Sequence, residues 1–312
     1  MSTSIPPTDS TLQPGLRPSA PSEPSGPEPR GLIVLDKPQG ITSRKALNLV
    51  ERRLNVGPLG HCGSLDPLAT GVLVLVVGKA RKVQDLIVRG EKVYDMTVTL
   101  GARSDTDDSE GVVVPVEGAT APARERIEQE LVPFRGEIMQ VPPTYSAVKI
   151  EGRRMHREAR KGRPVEAPSR PVVVHELRLD RYEWPQLDLH LRCSSGTYAR
   201  ALARDLGAAL GVGGYMSRLI RTRVGPLEIS QAVSPEAAGI EHLVGIEAAL
   251  ADQPRIDVPL QQRSRLLRGQ PLRTPPGFPI VEPCFAWCEG EVVATVTFVE
   301  GGTHFRTKKL LV

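Results

Sequence analysis

Cysteine is scarce in this sequence. Its four cysteines, Cys62, Cys193, Cys284 and Cys288, are spread over 312 residues, which is too sparse and too scattered for a disulfide scaffold. We therefore expect free thiols and a cytoplasmic protein. Cys284 and Cys288 could provide half of a zinc site, but structural zinc needs four ligands and no second Cys or His pair lies nearby at ligand spacing. The sequence predicts no bound metal.

Long apolar runs and nucleotide-binding motifs are also lacking. The longest clean apolar run covers only residues 72–77, whereas a bilayer span needs about 20 residues. There is no G-x-x-x-x-G-K-[ST] loop, and the segment 211–216 lacks the last glycine of the dinucleotide pattern. The acidic segment 105–111 has Glu110 where a calcium loop needs glycine, so we interpret it as an ordinary acidic turn. These absences predict no membrane span and no nucleotide cofactor.

Charge is nearly balanced over the whole chain, with 40 basic and 36 acidic residues, but it is unevenly distributed. Residues 153–163 carry six basic side chains and one acidic side chain, on a predicted helix over 153–161. Such clusters contact phosphate backbones, although a solvated helix face has the same pattern. A second cluster, Arg218, Arg221 and Arg223, favours contact with nucleic acid.

The chain divides into three predicted parts. Residues 1–30 contain eight prolines and six serines and are predicted to be a disordered tail without an export signal. Residues 31–252 form the main domain, and residues 253–312 form a small β-rich unit beyond a proline-flanked junction. Strands and helices mix without strict alternation, which predicts an α+β fold with a mixed, mostly antiparallel sheet flanked by helices.

The apolar periodicity gives individual elements. Strands are predicted at 32–35, 72–77, 93–100, 172–180, 187–193 and 292–299. A helix capped by Thr42 or Ser43 carries Leu47, Val50 and Leu54 on one stripe. Further helices are predicted at 124–131 and after Gly196, the latter with Leu202, Leu206 and Leu210 on one stripe.

One segment carries the chemistry. Residues 60–71 read Gly-His-Cys-Gly-Ser-Leu-Asp-Pro-Leu-Ala-Thr-Gly, and taken alone an Asp before a Pro is most often a turn residue. The whole segment, however, resembles the catalytic motif of the TruB family, G-H-x-G-x-L-D-P-x-A-x-G, at every fixed position. The resemblance extends through Leu-Asp-Lys-Pro at 35–38, Pro-Pro at 142–143, Tyr-Ser-Ala at 145–147 and Gly-Thr-Tyr-x-Arg at 196–200. It covers nearly all of residues 31–226, and the C-terminal unit more weakly resembles a reduced PUA module.

The resemblance implies a pseudouridine synthase fold and the isomerisation of uridine 55 in the T-loop of tRNA. The N1 glycosidic bond breaks, the uracil turns, and C5 bonds to the ribose. Asp66 would be the catalytic carboxylate, because an anion stabilises or captures the positive charge that develops on the ribose. Covalent attachment and removal of a ribose proton both remain open. Substrate and product are isomers, so no cofactor is expected.

The family also assigns roles to other positions. Arg200 would pair with Asp66, and Tyr94 would stack on the uracil and could take the C5 proton. Leu219 would line the uracil pocket, and Tyr198 would pack behind the ion pair. Single aromatic, leucine or arginine residues are otherwise most often core or surface residues.

Further positions are candidates for RNA contact. His61 matches a histidine that fills the space left by the flipped nucleotide. Lys37, next to Pro38, matches a motif beside the active loop; we interpret it as a supporting turn and keep Lys37 as an RNA-binding candidate. Arg153, Arg154 and Arg157 fall in the insertion that grips the T-arm. Two positions depart from the family, Pro58 in place of lysine and Ser64 in place of threonine or alanine.

Three functions remain open at this stage. The first is a monomeric enzyme that acts on tRNA without an obligate protein partner. The second is an RNA chaperone that binds and refolds tRNA without chemistry. The third is the catalytic subunit of a guide-RNA particle.

Overall fold

The computed structural model describes residues 29–145, 149–150, 153–154 and 167–312. The strands are β1 (Gly31–Lys37), β2 (Gly60–His61), β3 (Thr70–Val77), β4 (Lys92–Leu100), β5 (Ala102–Ser104), β6 (Val113–Pro115), β7 (Gly136–Gln140), β8 (Lys149–Ile150), β9 (Arg153–Arg154), β10 (Arg170–Glu183), β11 (Gln186–Cys193), β12 (Gly214–Val224), β13 (Leu227–Glu228), β14 (Arg255–Asp257), β15 (Leu272–Arg273), β16 (Cys284–Cys288), β17 (Glu291–Val299) and β18 (His304–Leu310). The helices are α1 (Ser43–Leu54), α2 (Gln84–Arg89), α3 (Arg124–Leu131), α4 (Ala199–Ala209), α5 (Ile246–Leu250) and α6 (Leu260–Leu267).

The main sheet has nine strands. Its order is β1-β3-β12-β4-β11-β10-β7, with β2 beside β3 and β13 beside β12. The pairing of β3 with β12 is parallel, and the other pairs of this sheet are antiparallel. The predicted α+β fold with a mixed, mostly antiparallel sheet is confirmed.

Strand β3 is buried on both faces, which explains its unbroken apolar sequence. Because side chains alternate along a strand, Leu73 and Leu75 enter one core cluster and Val72, Val74 and Val76 enter another. The strand is thus fixed from both sides. The loop of residues 62–69 leads into β3, so its C-terminal end is attached to a rigid strand.

The two helices next to the site form where the sequence predicts them. Helix α1 begins after Thr42, whose side-chain oxygen accepts a hydrogen bond from the Lys45 N–H at 3.1 Å, a typical N-cap. Helix α4 buries Leu202 and Leu206 in the core. At Gly207 the helix lies so close to β12 that an added Cβ would stand 2.2 Å from the Gly214 nitrogen.

A second sheet covers residues 255–310, in the order β14-β16-β17-β18-β15. One buried cluster joins it to the main sheet: Phe285, Trp287 and Leu311 belong to the same cluster as Val72, Val74 and Val76 of β3. The C-terminal sheet and one face of β3 therefore share a hydrophobic core. The division at residues 252 and 253 stays a prediction.

The other predicted elements can be compared with the observed ones. The strands predicted at 93–100, 172–180, 187–193 and 292–299 lie within β4, β10, β11 and β17. The helix predicted over 153–161 is wrong where the chain is described, since Arg153 and Arg154 form β9, paired with β8; the rest of that segment, with Arg157, lies outside the described residues. None of the helices in the described ranges has the length and apolar character to cross a membrane.

Candidate active site

Hydrogen bonds from Ser43, Gly40 and Lys37 hold the loop that carries Asp66. The Ser43 hydroxyl accepts a hydrogen bond from the Leu65 N–H at 2.7 Å and donates to the Leu65 carbonyl at 3.0 Å. The Gly40 N–H donates to the Pro67 carbonyl at 2.8 Å. Lys37 Nζ donates to the carbonyls of Pro38, Ile41 and Pro67. The main chain on both sides of Asp66 is therefore held in place.

Arg221 ties the start of the same loop to β3. Its Nε donates to the Val72 carbonyl at 2.7 Å, and its Nη2 donates to the Gly63 carbonyl at 3.1 Å. Arg221 is 1% exposed. It is therefore not part of an exposed basic surface, and its contact with RNA stays a prediction.

Asp66 forms the predicted ion pair. Arg200 Nε lies 3.0 Å from Asp66 Oδ2, with side-chain exposures of 7% for Arg200 and 39% for Asp66. Arg200 Nη1 also contacts Asp108 Oδ2 at 3.3 Å. Further hydrogen bonds to the carbonyls of Thr106 and Tyr145, each 3.1 Å long, leave the guanidinium one orientation. Arg200 thus presents its charge to Asp66 from a fixed position.

The acidic segment 105–111 forms a turn, and two of its carboxylates pair with arginines of α4 beside Asp66. Asp108 is buried against Arg200, and Asp107 pairs with Arg204 Nη1 at 3.0 Å. The Ser109 N–H and the Met216 N–H bond to carbonyls of the neighbouring segment, which docks the loop on β12. The sequence feature that could have indicated these contacts is the spacing of Arg200 and Arg204, two cations one turn apart on α4 that need acidic partners.

Beside this ion pair lies a cavity of about 450 Å³. Asp66, Tyr94, Arg200 and Leu219 line it together with Tyr198, so the structure brings these five predicted residues to one place. The remaining lining residues are Gly63, Ser64, Leu65, Val88, Lys92, Tyr145, Ser194, Ser195, Gly196, Thr197, Ala199, Met216 and Arg221. The cavity offers a carboxylate, an aromatic ring and apolar walls to a planar ring.

Tyr198 supports one wall of this cavity. Its main-chain N–H donates to Gln140 Oε1 at 2.8 Å, and Gln140 Nε2 donates to the Tyr198 carbonyl at 3.0 Å. The Arg170 guanidinium lies over its ring, 4.7 Å from the centroid. These contacts fix the turn from which α4, and with it Arg200, begins.

The acidity of Asp66 and of Tyr94 is altered in the cavity. Burial raises the pKa of the Asp66 carboxyl, and the Asp108 carboxylate acts in the same direction, while Arg200 and Lys37 oppose it. Burial also raises the pKa of the Tyr94 phenol, opposed by the Arg221 guanidinium. At neutral pH Tyr94 is therefore a neutral ring.

Other predicted residues lie apart from the cavity. His61 sits in β2, is not among the cavity-lining residues, and has its Nδ1 atom buried without a hydrogen-bond partner in the described part of the chain. Burial lowers its pKa, with Arg44 and Arg221 acting in the same direction. The Lys37 side chain is 0% exposed, which fits the supporting-turn interpretation and leaves no amine for RNA. Across the described ranges, no cluster of three His, Cys, Asp or Glu side chains is placed to hold a metal ion.

Solved structures share this fold. A chain in the crystal structure of a Cbf5-Nop10-Gar1 complex superimposes on this one with a TM-score of 0.70 and 23% identity, and the match covers 90% of this chain and 85% of the other. A structure of an H/ACA RNP bound to a substrate RNA containing 2'-deoxyuridine gives a TM-score of 0.69 at 21% identity, with the same coverage. This chain therefore shares its fold with a chain of each of these two complexes.

Sequence comparison then defines the family. The model described as TruB family pseudouridylate synthase (N terminal domain) matches residues 51–199, and the tRNA pseudouridylate synthase B C-terminal domain matches residues 200–239. The tRNA pseudouridine synthase B of Aromatoleum aromaticum is 41% identical over 257 residues, which cover 79% of this chain and 82% of that protein. The Ruegeria pomeroyi protein of the same name is 39% identical over 284 residues, covering 88% and 93%. The chain belongs to the TruB family of pseudouridylate synthases.

Proposed function

We propose that the protein isomerises uridine to pseudouridine at position 55 in the T-loop of tRNA, with Asp66 as the catalytic carboxylate. The observation that carries the proposal is the 3.0 Å contact of Asp66 with Arg200 at the edge of a cavity lined by Tyr94 and Leu219. Curated relatives named tRNA pseudouridine synthase B support tRNA as the substrate.

In this mechanism the target nucleotide leaves its stack and enters the cavity. Stacking of its uracil on the Tyr94 ring contributes roughly 1–3 kcal/mol, which offsets part of the free energy needed to unstack the nucleotide. A protonated phenol is a poor base, so we assign stacking to Tyr94 rather than removal of the C5 proton. Leu219 supplies an apolar wall beside the ring.

Asp66 then acts on the ribose. Breaking the N1–C1' bond leaves positive charge on the sugar, and the ionised carboxylate either bonds to C1' or removes a ribose proton. Arg200 orients the carboxylate and opposes the effect of burial on its pKa. The freed uracil turns and its C5 bonds to C1', which releases the Asp66 carboxylate from C1' in the first case, or is accompanied by return of the ribose proton from Asp66 in the second. The proton lost from C5 is balanced by one gained at N1.

Residues outside the cavity bind the rest of the tRNA in this proposal. We propose that Arg153, Arg154 and Arg157 contact the T-arm and that His61 fills the space of the flipped nucleotide. The enzyme acts as a monomer in the cytoplasm without an obligate partner. The four cysteines, all free and buried, are compatible with a reducing compartment.

Tritium release tests the proposal. Unmodified tRNA transcript labelled with tritium at uridine C5 is incubated with wild type and, separately, with Asp66→Asn. Wild type is also incubated with a matched labelled transcript that carries cytidine at position 55. We expect stoichiometric release from the first transcript with wild type, and no release with Asp66→Asn or from the cytidine transcript. Release at another uridine would overturn the site assignment, and release by Asp66→Asn would overturn the role of the carboxylate.

The same experiment separates the alternatives. Tight tRNA binding by wild type without release would favour the chaperone function. Release only after addition of small RNA that copurifies with the protein would favour a guide-RNA particle. The solved structures of such particles are 21–23% identical to this chain and support the shared fold only.

A further inference from the structure

Two buried cations lie in the floor of the cavity. Lys92 is 5% exposed and Arg221 is 1% exposed, and both line the cavity. Within the described ranges neither forms an ion pair: the Lys92 amine donates to the carbonyls of Val88 and Gly90, and Arg221 donates to those of Gly63 and Val72. The floor therefore carries positive charge that main-chain carbonyls solvate, without a salt bridge to any carboxylate of the described residues.

Such an arrangement is costly unless an anion enters the cavity, because a buried charge without a counter-ion loses several kcal/mol of solvation. Burial lowers the pKa of Lys92 to about 8, and Arg221 acts in the same direction, while the thiols of Cys193 and Cys62 oppose it. Burial raises the pKa of those two thiols to about 11 and about 12. Near pH 7 the thiols are neutral and Lys92 is mostly protonated, so the uncompensated charge persists.

The register of the sheet places these cations beside the position proposed for the base. Lys92 and Tyr94 are two residues apart on β4, so their side chains share one face, and Arg221 lies directly opposite Tyr94 on β12. A uracil stacked on Tyr94 would lie next to both cations. Asp66, the anionic group, lies near the ribose in the proposed pose.

The polarity of the cavity matches the charge separation of the reaction. When the N1–C1' bond breaks heterolytically, the electron pair stays on N1, the uracil leaves as an anion, and the sugar becomes positive. A negative group beside the sugar and positive groups beside the base stabilise both fragments in the transition state. This holds whether Asp66 bonds to C1' or removes a ribose proton.

We propose that Lys92 is a further catalytic residue, whose ammonium group, supported by Arg221, stabilises the uracil anion until C5 bonds to C1'. The inference rests on the proposed function. Lys92 transfers no proton in this step, and the anion is discharged when C5 gives its electron pair to C1', loses its proton and N1 becomes protonated.

A pH profile of the single-turnover rate tests this role. In wild type the rate should fall as the pH rises through about 8, where Lys92 loses its charge. Lys92→Met should lower the rate at pH 7 by about 10²-fold, the scale of losing one electrostatic donor, and should abolish this alkaline decline. Lys92→Arg should restore most of the rate and move the decline to higher pH.

A matched control is Lys82→Met. Lys82 also donates its amine to a main-chain carbonyl, that of Leu310 at 2.6 Å, but it is not among the residues that line the active cavity. This variant should keep the decline near pH 8. If Lys92 served only to close the end of α2, Lys92→Arg and Lys92→Met would both leave the wild-type pH profile in place, and the proposal would fail.

A better leaving group gives a second readout. Fluorine at C5 makes the uracil anion more stable, so a transcript with 5-fluorouridine needs less help from Lys92. Product formation is measured by chromatography of the nuclease digest. The fold-loss in rate caused by Lys92→Met should be several-fold smaller for 5-fluorouridine than for uridine. Equal losses would overturn the role of Lys92 and leave the proposed function intact, whereas wild-type inactivity on tRNA would overturn the proposed function itself.

Discussion

The Ser43 hydroxyl forms hydrogen bonds with both main-chain polar groups of Leu65. One hydroxyl group serves both the N–H, at 2.7 Å, and the carbonyl, at 3.0 Å, and Leu65 is the residue directly before Asp66. The first residue of α1 thereby sets the position of the Asp66 carboxylate, the proposed catalytic group. Since the contact is buried, water cannot replace it.

Ser43→Ala should impair both folding and catalysis. Two buried main-chain groups lose their partner, which costs about 1–3 kcal/mol of the free energy of unfolding, and the Asp66 loop becomes less ordered. We expect the single-turnover rate to fall at least tenfold at a temperature where the variant is folded. Urea denaturation and rapid-quench kinetics measure the two effects.

Thr42→Ala is the matched control for this change. It removes the N-cap of the same helix, at a cost of about 1 kcal/mol, but its hydroxyl contacts Lys45 and not the active loop. Its rate should equal that of wild type. Equal rates for Ser43→Ala and wild type would show that the hydroxyl does not position Asp66.

Gly71→Ala should be strongly destabilising. An added Cβ would lie 2.3 Å from the Arg221 carbonyl, and the residue has a φ of +94°, so backbone strain and a clash with main-chain atoms add together. Gly118→Ala is the control, because Gly118 has a φ of +70° but no atom within 4 Å of the added Cβ. We expect the first variant to lose about 3 kcal/mol more than the second in urea denaturation. Similar losses would mean that only the backbone angle matters.

Asp108→Asn should shift the pH dependence of activity. Burial and, to a smaller extent, the Asp108 carboxylate raise the pKa of Asp66. The proposed mechanism needs Asp66 ionised, so activity should be lost as the pH falls through that pKa. Removing the charge of Asp108 lowers the pKa of Asp66, and the acid limb of kcat/KM should move to lower pH. The plateau should fall by about tenfold, or 1.4 kcal/mol, because Arg200 loses one partner.

Asp107→Asn serves as the comparison for Asp108→Asn. Asp107 pairs with Arg204 rather than Arg200, so its loss should leave the acid limb where it is in wild type. An acid limb of Asp108→Asn that stays in place or rises would contradict the assigned electrostatic coupling.

The thiols should be unreactive in the folded protein. All four cysteines are buried, and burial raises the pKa of Cys62 to about 12 and those of Cys193 and Cys284 to about 11. Since the thiolate is the reactive form, iodoacetamide at pH 8 should leave the native protein unlabelled and add four groups in urea, as measured by intact mass. Labelling of Cys62 in the native protein would show that the active loop opens.

Local patterns were sufficient to predict most of the elements. The cap at Thr42 with the stripe of Leu47 and Val50, and the alternation of Leu187, Leu189 and Leu191, depend on neighbours within one turn or one strand. The loop of Asp66 was found by its resemblance to a family motif, and its contact with Arg200 joins segments over a hundred residues apart. No periodicity in the sequence measures such a distance.

The errors share a cause in long-range contacts. Arg221 forms a basic cluster with Arg218 and Arg223 in the sequence, but its side chain is buried, where the carbonyls of Gly63 and Val72 accept its hydrogen bonds. A register shift in β12 between Met216 and Arg218 then turns Leu219 and Arg221 toward the cavity, which strict alternation from Met216 would not predict. Asp108 was missed in the same way, since its partner lies on α4.

Phe285, Trp287 and Leu311 share one core cluster with Val72 and Val74 of β3, which has a consequence for how this chain can change over generations. A lineage that shortened the C-terminal sheet would remove apolar members of this cluster and expose others to water, so the loss would require compensating polar substitutions. An enlarged valine on this face of β3 would likewise require adjustment among the other members of the cluster. Substitutions in the C-terminal sheet and on this face of β3 should therefore be coupled.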